Sequence, residues 1–141
     1  MRAADAGARW HVHQRRKGSA HEPYNRLLEV ASLAMQATDG AEPNVVIAAL
    51  SYDVVEDQGI TAEMIAKEFG KRVADIVMEV TDDKLLPKAE RKCLQIENAA
   101  KKSRETKRIK LADKISDARA VTISPAVGWP VQRRFDYIEW A

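Results

Sequence analysis

Residues Ile47 to Asp57 read IAALSYDVVED and give the clearest indication of the architecture. This stretch begins as an apolar run and ends in three carboxylates, Asp53, Glu56 and Asp57. On a helix their i, i+3, i+4 spacing places all three on one face, close enough to share a ligand. A water-exposed acidic patch also explains that spacing, but the apolar residues up to Leu50 put Asp53 at the mouth of a buried segment.

Helical periodicity continues on both sides of this stretch, and no segment alternates like a strand. Turn signals at Asp39-Gly40, Gln58-Gly59 and Gly128-Trp129-Pro130 separate the periodic segments. The pattern predicts helices over residues 2–14, 24–38, 44–53, 62–69, 71–80, 87–100, 105–121 and 131–141. The fold class is therefore all-α, a bundle of about seven to eight helices. We expect residues 1–141 to form one domain.

The composition bears on whether the protein binds nucleic acid or membranes and on where it is located. Apolar residues make up 45% and charged residues 31% of the 141 residues, and the net charge is +2. No bulk charge attracts nucleic acid or a membrane surface, and the longest apolar run, 45–50, is too short to span a bilayer. The N-terminus has no apolar segment typical of a secretory signal. Cys93 has no disulfide partner within the chain, which favours a reducing, cytoplasmic location, and we expect it to be buried or half-buried on a helix.

A second acidic feature is LADKISDAR at 111–119. Asp113 falls beside the apolar stripe of Ile109, Ala112, Ile115 and Ala118, so it must be paired, hydrogen-bonded or bound to metal.

Two interpretations of Asp113 stay open. One is an ion pair with the neighbouring Lys110, Lys114 or Arg119. The other joins Asp113 to Asp53 as a minimal site for a hard cation, because carboxylate oxygens suit magnesium or manganese.

Basic residues cluster at 15–17, 88–92, 101–110 and 133–134. Cations around a carboxylate site suit a phosphate-rich ligand. The 101–110 run is explained as a solvated helix face. Aromatic residues are 6% and none interrupts that run, so base stacking on nucleic acid is not indicated.

Several short blocks occur in a distinctive order. They are QRRK at 14–17, EPY at 22–24, LSYDVVED at 50–57, VTDDK at 80–84, LPK at 86–88, ERK at 90–92, LADK at 111–114 and GW at 128–129. Together they resemble the HD-domain hydrolases of the SpoT/Rel group, most closely the single-domain metazoan-type small alarmone hydrolases. The resemblance covers nearly the whole chain, although the last helix of that family runs further than Ala141.

This resemblance implies an α-helical HD fold and manganese-dependent removal of the 3′-pyrophosphate from (p)ppGpp. Some animal members are also linked to removal of the 2′-phosphate of NADPH. Asp53 and Asp113 match metal ligands, and Glu56 and Asp57 match the acidic pair that positions or activates the attacking water.

The resemblance also implies a set of nucleotide-binding residues. It matches Arg16 and Lys17 to the loop that grips the nucleotide. It matches Lys88, Arg133 and Tyr137 to positions that contact nucleotide or phosphate. It matches Asp117 to the asparagine that the family has one turn after its late aspartate.

Two departures stand out. Tyr52 replaces the histidine of the HD pair, and Arg26 falls where the family has an earlier ligand histidine. A neutral phenol is a poor ligand because tyrosine titrates near pH ~10, and arginine donates but does not coordinate. We hypothesise that the Arg26 guanidinium takes the electrostatic place of the metal between Asp53 and Asp113. That hypothesis predicts no bound manganese and little or no hydrolysis.

Three functions follow from these observations. The first is a phosphohydrolase with a depleted site, with magnesium on Asp53 and Asp113 as a variant. The second is a pseudoenzyme that binds a guanosine or adenosine phosphate without cleaving it. The third is a helical interaction module with a vestigial site. Oligomeric state has no signature in the sequence.

Overall fold

The structure, a computed structural model, describes residues 2–10 and 23–141, and at residues 10, 23–25 and 56–58 it describes the backbone alone. Within these residues the chain forms nine α-helices and no strand, which confirms the all-α prediction. The one-domain assignment of residues 1–141 stays a prediction. The helices are α1 (Arg2–Trp10), α2 (Pro23–Gln36), α3 (Pro43–Ala49), α4 (Tyr52–Gln58), α5 (Ala62–Phe69), α6 (Lys71–Val80), α7 (Lys88–Ala99), α8 (Arg104–Ile123) and α9 (Val131–Trp140).

The stretch from Ile47 to Asp57 is divided between two helices rather than lying on one. The Ser51 hydroxyl donates to the Ile47 carbonyl at 2.9 Å, and the Ser51 amide donates to the Ala48 carbonyl at 3.0 Å. Such local bonds compete with the regular helical ladder and end α3 at this point. The chain restarts as α4, with Tyr52 buried and Asp53 half-buried at its first turn.

Helix α8 forms the spine against which α2, α3 and α6 pack. Its buried face carries Thr106, Ile109, Ala112, Asp113 and Ser116. The face is rotated from the predicted stripe, because the inner surface of α8 is shared among three helices. Ile115, predicted to be in the stripe, lies at the border with 37% exposure. Asp113 therefore lies within the buried face, and this rotation brings it to the site.

A polar cluster joins α6 to the start of α8. Glu79 accepts hydrogen bonds from the Thr106 hydroxyl at 2.7 Å and from the Ser103 amide at 2.7 Å. Burial alone would raise the pKa of Glu79, but the hydrogen bonds from Ser103 and Thr106 and the nearby Lys102 charge outweigh it, and the pKa is lowered. Thr106 is fully buried, and its hydroxyl accepts from the Ser103 hydroxyl at 3.0 Å but depends on Glu79 as its acceptor.

Replacing Glu79 with alanine is expected to lower the unfolding free energy by about 2 kcal/mol, because it leaves the buried Thr106 hydroxyl without its acceptor. Urea denaturation at neutral pH measures this loss. Glu97→Ala, an exposed glutamate on α7, is the matched control and should stay within about 0.5 kcal/mol of wild type. Equal effects of the two substitutions would contradict the role of the cluster.

The same cluster predicts a pH dependence. Because the folded pKa of Glu79 is lowered, its contribution to stability is present above the unfolded value of about 4.3 and is lost as the pH falls through the folded value. The stability advantage of wild type over Glu79→Gln should therefore shrink as the pH is lowered below about 4.3. A constant difference across acid pH would contradict it.

Helix α7 buries none of its residues. Cys93, predicted to be buried or half-buried, is exposed on this helix, because no other element covers that face among the described residues. In the part of the chain that the structure describes, no helix combines the length and the apolar character needed to cross a membrane.

Candidate active site

The centre of the site is a single guanidinium held among three carboxylates, which we call the Arg26 centre. Arg26 on α2 hydrogen-bonds to Asp113 Oδ1 through Nη2, and its Nη1 lies 3.4 Å from Asp53 Oδ2. Its Nε lies 2.9 Å from Asp117 Oδ1 as an ion pair, without the N–H direction of a hydrogen bond. Helices α2, α4 and α8 thus converge on one cation.

Tyr52 completes this centre from the first residue of α4. It is buried, and its hydroxyl donates to Asp113 Oδ1 at 2.7 Å. Burial, followed by the nearby charge of Asp53, raises the pKa of Tyr52 well above its ordinary value. The phenol therefore stays neutral and donates to Asp113, the opposite of what a metal ligand does.

Arg26 keeps its positive charge in this environment. Burial alone would lower its pKa, but the surrounding Tyr52, Asp113, Asp117 and Asp53 outweigh that effect, and the pKa is raised. One guanidinium with three carboxylate neighbours leaves the centre net negative. It also fills the space between Asp53 and Asp113 that a hard cation would need. Among the described residues, no group of three or more His, Cys, Asp or Glu side chains is placed to hold a metal ion.

The hypothesis that Arg26 lies between Asp53 and Asp113 therefore agrees with the geometry. Two of the alternative partners of Asp113 are paired elsewhere: Lys110 with Asp82 at 3.3 Å, and Arg119 with Glu29 at 3.1 Å. The third, Lys114, lies close enough to Asp113 to interact with its charge. As they stand, the residues of the Arg26 centre do not fit a divalent cation.

A cationic and aromatic face adjoins the Arg26 centre through Asp117. The Tyr137 hydroxyl on α9 donates to Asp117 Oδ2 at 2.5 Å. Lys92 Nζ lies 5.6 Å from the Tyr137 ring centroid and 3.9 Å from that of Trp140. The Arg133 guanidinium stacks on Trp129 at 4.3 Å.

Electrostatics connect the three cations of this face. The pKa of Lys92 is lowered by burial first and then by the charges of Lys88 and Arg133. Three positive side chains therefore share one region next to Tyr137. Such a cluster suits the negative charge of a phosphate group.

The predicted site residues fall into three groups. Asp53, Asp113, Asp117 and Tyr137 are joined by direct contacts. Lys88 and Arg133 lie near them as part of the cationic face. The remaining four lie outside the described structure: Arg16 and Lys17 fall in 11–22, and the side chains of Glu56 and Asp57 are not described. The roles of all these residues stay predictions.

The sequence analysis assigned no role at the site to Lys92, Lys114 or Trp140, although it counted Lys92 in a basic cluster and Lys114 as a possible partner of Asp113. Lys114 Nζ lies 3.4 Å from the Trp140 ring centroid, and burial is the main cause that lowers its pKa to about 8. Helical spacing was an available signal: Lys92 follows Lys88 by one turn on α7, and Trp140 follows Tyr137 by one turn on α9.

The fold and the position of this site define an HD-domain protein. The profile of the HD domain family matches residues 3–129, and the chain belongs to this family.

Curated relatives narrow the class further. The guanosine-3′,5′-bis(diphosphate) 3′-pyrophosphohydrolase MESH1 of Drosophila melanogaster is 45% identical over 132 residues, which cover 93% of this chain and 74% of that protein. MESH1 of Homo sapiens is 42% identical over 142 residues, covering all of this chain and 79% of that protein. A solved metazoan ortholog of SpoT that hydrolyses ppGpp is 42% identical, with a TM-score of 0.92 over 99% of this chain and 79% of that chain.

These similarities confirm the prediction of an HD-type 3′-pyrophosphohydrolase-like protein. They do not favour the alternative of a nucleotide-binding pseudoenzyme. The HD-domain hydrolase family implies dependence on a divalent metal ion, whereas the Arg26 centre of this chain is filled by a guanidinium.

Proposed function

We propose that this chain is a phosphohydrolase that binds a guanosine nucleotide carrying a 3′-diphosphate and releases its pyrophosphate slowly. The observation that carries the proposal is the likeness to the ppGpp-hydrolysing ortholog of SpoT, at a TM-score of 0.92 over 99% of the chain. The Arg26 centre, with its adjoining cationic face, is our candidate for the place where the phosphates bind.

The cationic face supports the proposal by its charge. Lys88, Lys92 and Arg133 give the diphosphate three positive partners, and Arg133 offers the forked donors that match phosphate oxygens. We propose that Tyr137 and Asp117 contact the nucleotide beside them.

The residues outside the described structure keep the roles implied by the resemblance. Arg16 and Lys17 are proposed to grip the nucleotide. Glu56 and Asp57 are proposed to position or activate water for attack on the phosphorus.

Hydrolysis is slow in this proposal because of the charge at the centre. Arg26 brings a single delocalised positive charge, and its donors are already directed at Asp53, Asp113 and Asp117. A bound divalent ion supplies Lewis-acid and water-activating chemistry in metal-dependent hydrolases. Manganese is the ion implied by the resemblance, with magnesium as the alternative, and we propose that the native centre takes neither while Arg26 occupies it.

Turnover of guanosine-3′,5′-bis(diphosphate) tests this function directly. The purified chain and its Asp113→Ala variant are incubated with the nucleotide, and the products are separated by anion-exchange chromatography. We expect wild type to release pyrophosphate slowly, with a kcat well below the median enzyme value of about 10 s⁻¹. We expect the variant to release none. Absence of turnover by wild type, or equal turnover by both, would contradict the proposal.

Nucleotide specificity gives a control for the same assay. NADPH, the second nucleotide implied by the resemblance, has no support in the names of the relatives, so it serves as the comparison substrate.

The cytoplasmic location stays a prediction.

Removing a cation from the face should weaken nucleotide binding. Arg133→Ala is expected to raise the Kd for guanosine-3′,5′-bis(diphosphate) by about tenfold, because a charge-assisted phosphate contact is worth about 1.5 kcal/mol. Isothermal titration calorimetry measures the change. Arg72→Ala, on α6 and paired with Glu105 away from the site, is the control and should leave the Kd unchanged. An unaltered Kd in Arg133→Ala would remove this face from the proposed binding site.

A further inference from the structure

A groove between α7 and α8 lies beside the Arg26 centre, and it shares Lys114 and Trp140 with the site described above. Its volume is about 490 Å³, and both helices line it with residues at helical spacing. On α7 these are Arg91, Leu94 and Asn98, and on α8 they are Lys107 and Leu111. Rows at i, i+3, i+4 and i+7 are the ridges and grooves by which one helix packs against another.

The apolar residues of this groove lack a cover among the described residues. Helix α7 buries none of its residues, and no other helix packs extensively on it. Ile96 on α7 is 63% exposed and Leu111 on α8 is 64% exposed, and both line the groove. An amphipathic helix normally buries its apolar stripe, so this face has the character of a docking surface.

The charge of the groove selects the kind of partner. Five cationic side chains and two acidic side chains line it among the described residues. Lys110 is paired with Asp82, and Lys102 lies near the Glu79 carboxylate and donates to the Glu79 carbonyl. Lys107 donates to the carbonyl of Ala100, which carries no formal charge, so the lining keeps more positive than negative side chains. The cationic residues are Arg91, Lys102, Lys107, Lys110 and Lys114, and the acidic ones are Asp82 and Asp83.

We propose that the α7–α8 groove binds an acidic amphipathic helix of a partner protein. The apolar stripe of that helix covers Leu94, Ile96 and Leu111, and its carboxylates pair with the lysines at the rim. The α7 wall from Arg91 to Ala99 has a length of about 12 Å at the helical rise per residue, enough for about two turns of contact. This is the helix-in-groove mode, with charge complementarity setting the choice of partner.

Two synthetic peptides of about 18 residues test the groove, a length at which an isolated helix becomes measurable. Both carry the same leucine stripe on an alanine background; one has glutamates and the other lysines on the polar face. Fluorescence polarisation of each labelled peptide is measured against the full chain at about 0.15 M salt. We expect the glutamate peptide to bind at least about tenfold more tightly than the lysine peptide.

Variants locate the binding. Leu111→Glu and the pair Lys107→Glu/Lys110→Glu should each weaken the glutamate peptide by at least about tenfold. Ile123→Glu, on the same helix and 81% exposed outside the groove, is the matched control and should bind as wild type does. Because Leu111 is 64% exposed, its variant is expected to keep the wild-type melting curve by circular dichroism.

Three outcomes overturn the proposal. Equal binding of the two peptides would show that charge does not select the partner. Unchanged binding of the glutamate peptide by Leu111→Glu would show that the groove is not the binding site. In sedimentation velocity, a concentration-dependent dimer that Leu111→Glu abolishes assigns the groove to a second copy of this chain instead of a partner.

Discussion

Replacing Arg26 with alanine is expected to lower the unfolding free energy by about 3 kcal/mol. The substitution leaves Asp53, Asp113 and Asp117 close together without the cation that holds them, and like charges in a partly buried site repel. A midpoint shift in urea denaturation at neutral pH, with an unchanged slope, measures the loss.

Arg119→Ala supplies the matched control for this prediction. Arg119 pairs with Glu29 at 3.1 Å, but its side chain is 55% exposed, so the pair should contribute about 0–1 kcal/mol. Arg26→Lys should fall between the two, since it keeps the charge and loses the fork. If Arg26→Ala destabilised no more than Arg119→Ala, the guanidinium would not be what organises the three carboxylates.

Replacing both Arg26 and Tyr52 with histidine is expected to create a manganese site and to raise turnover of guanosine-3′,5′-bis(diphosphate) at least about 100-fold. The substitutions remove the guanidinium between Asp53 and Asp113 and the phenol that donates to Asp113. They add two imidazoles to two carboxylates, a mixed set of donors that suits divalent transition metals. Metal analysis gives the stoichiometry, and the pyrophosphate assay gives the rate.

The melting temperature gives a second reading of the same variant. Manganese at about 100 times its Kd should stabilise the double variant by about 2.7 kcal/mol and leave wild type unchanged. The single variants are controls, because each keeps one of the two obstacles. A folded double variant that binds no manganese and gains no turnover would contradict the account of the site.

The charged residues of the site were predicted from the sequence more completely than the helices that hold them. Asp53 and Asp113 were predicted to meet because each borders an apolar segment, and both bind one guanidinium. Arg26 itself was found through the departure from the family pattern. A local pattern shows which residues border an apolar segment but not the direction of a long side chain. The contact between Arg26 and Asp117 was therefore not predicted, although the resemblance implied that Asp117 belongs to the site.

Where prediction failed, tertiary packing decided the outcome. The break at Ser51 arises from a hydroxyl that competes for the Ile47 carbonyl, and no apolar periodicity records it. The buried face of α8 is rotated because three helices share it, which leaves Ile115 at the border. Cys93 was predicted to be buried or half-buried on a helix, but no other element covers its face of α7 among the described residues.

The manganese content of the wild-type chain shows whether the Arg26 guanidinium stands in the place of the metal. The purified protein is equilibrated with excess manganese, desalted and analysed by inductively coupled plasma mass spectrometry. Because Arg26 occupies the position between Asp53 and Asp113, we predict retention of less than about 0.1 manganese per chain. Retention of about one manganese per chain would contradict the claim that the guanidinium stands in the place of the metal.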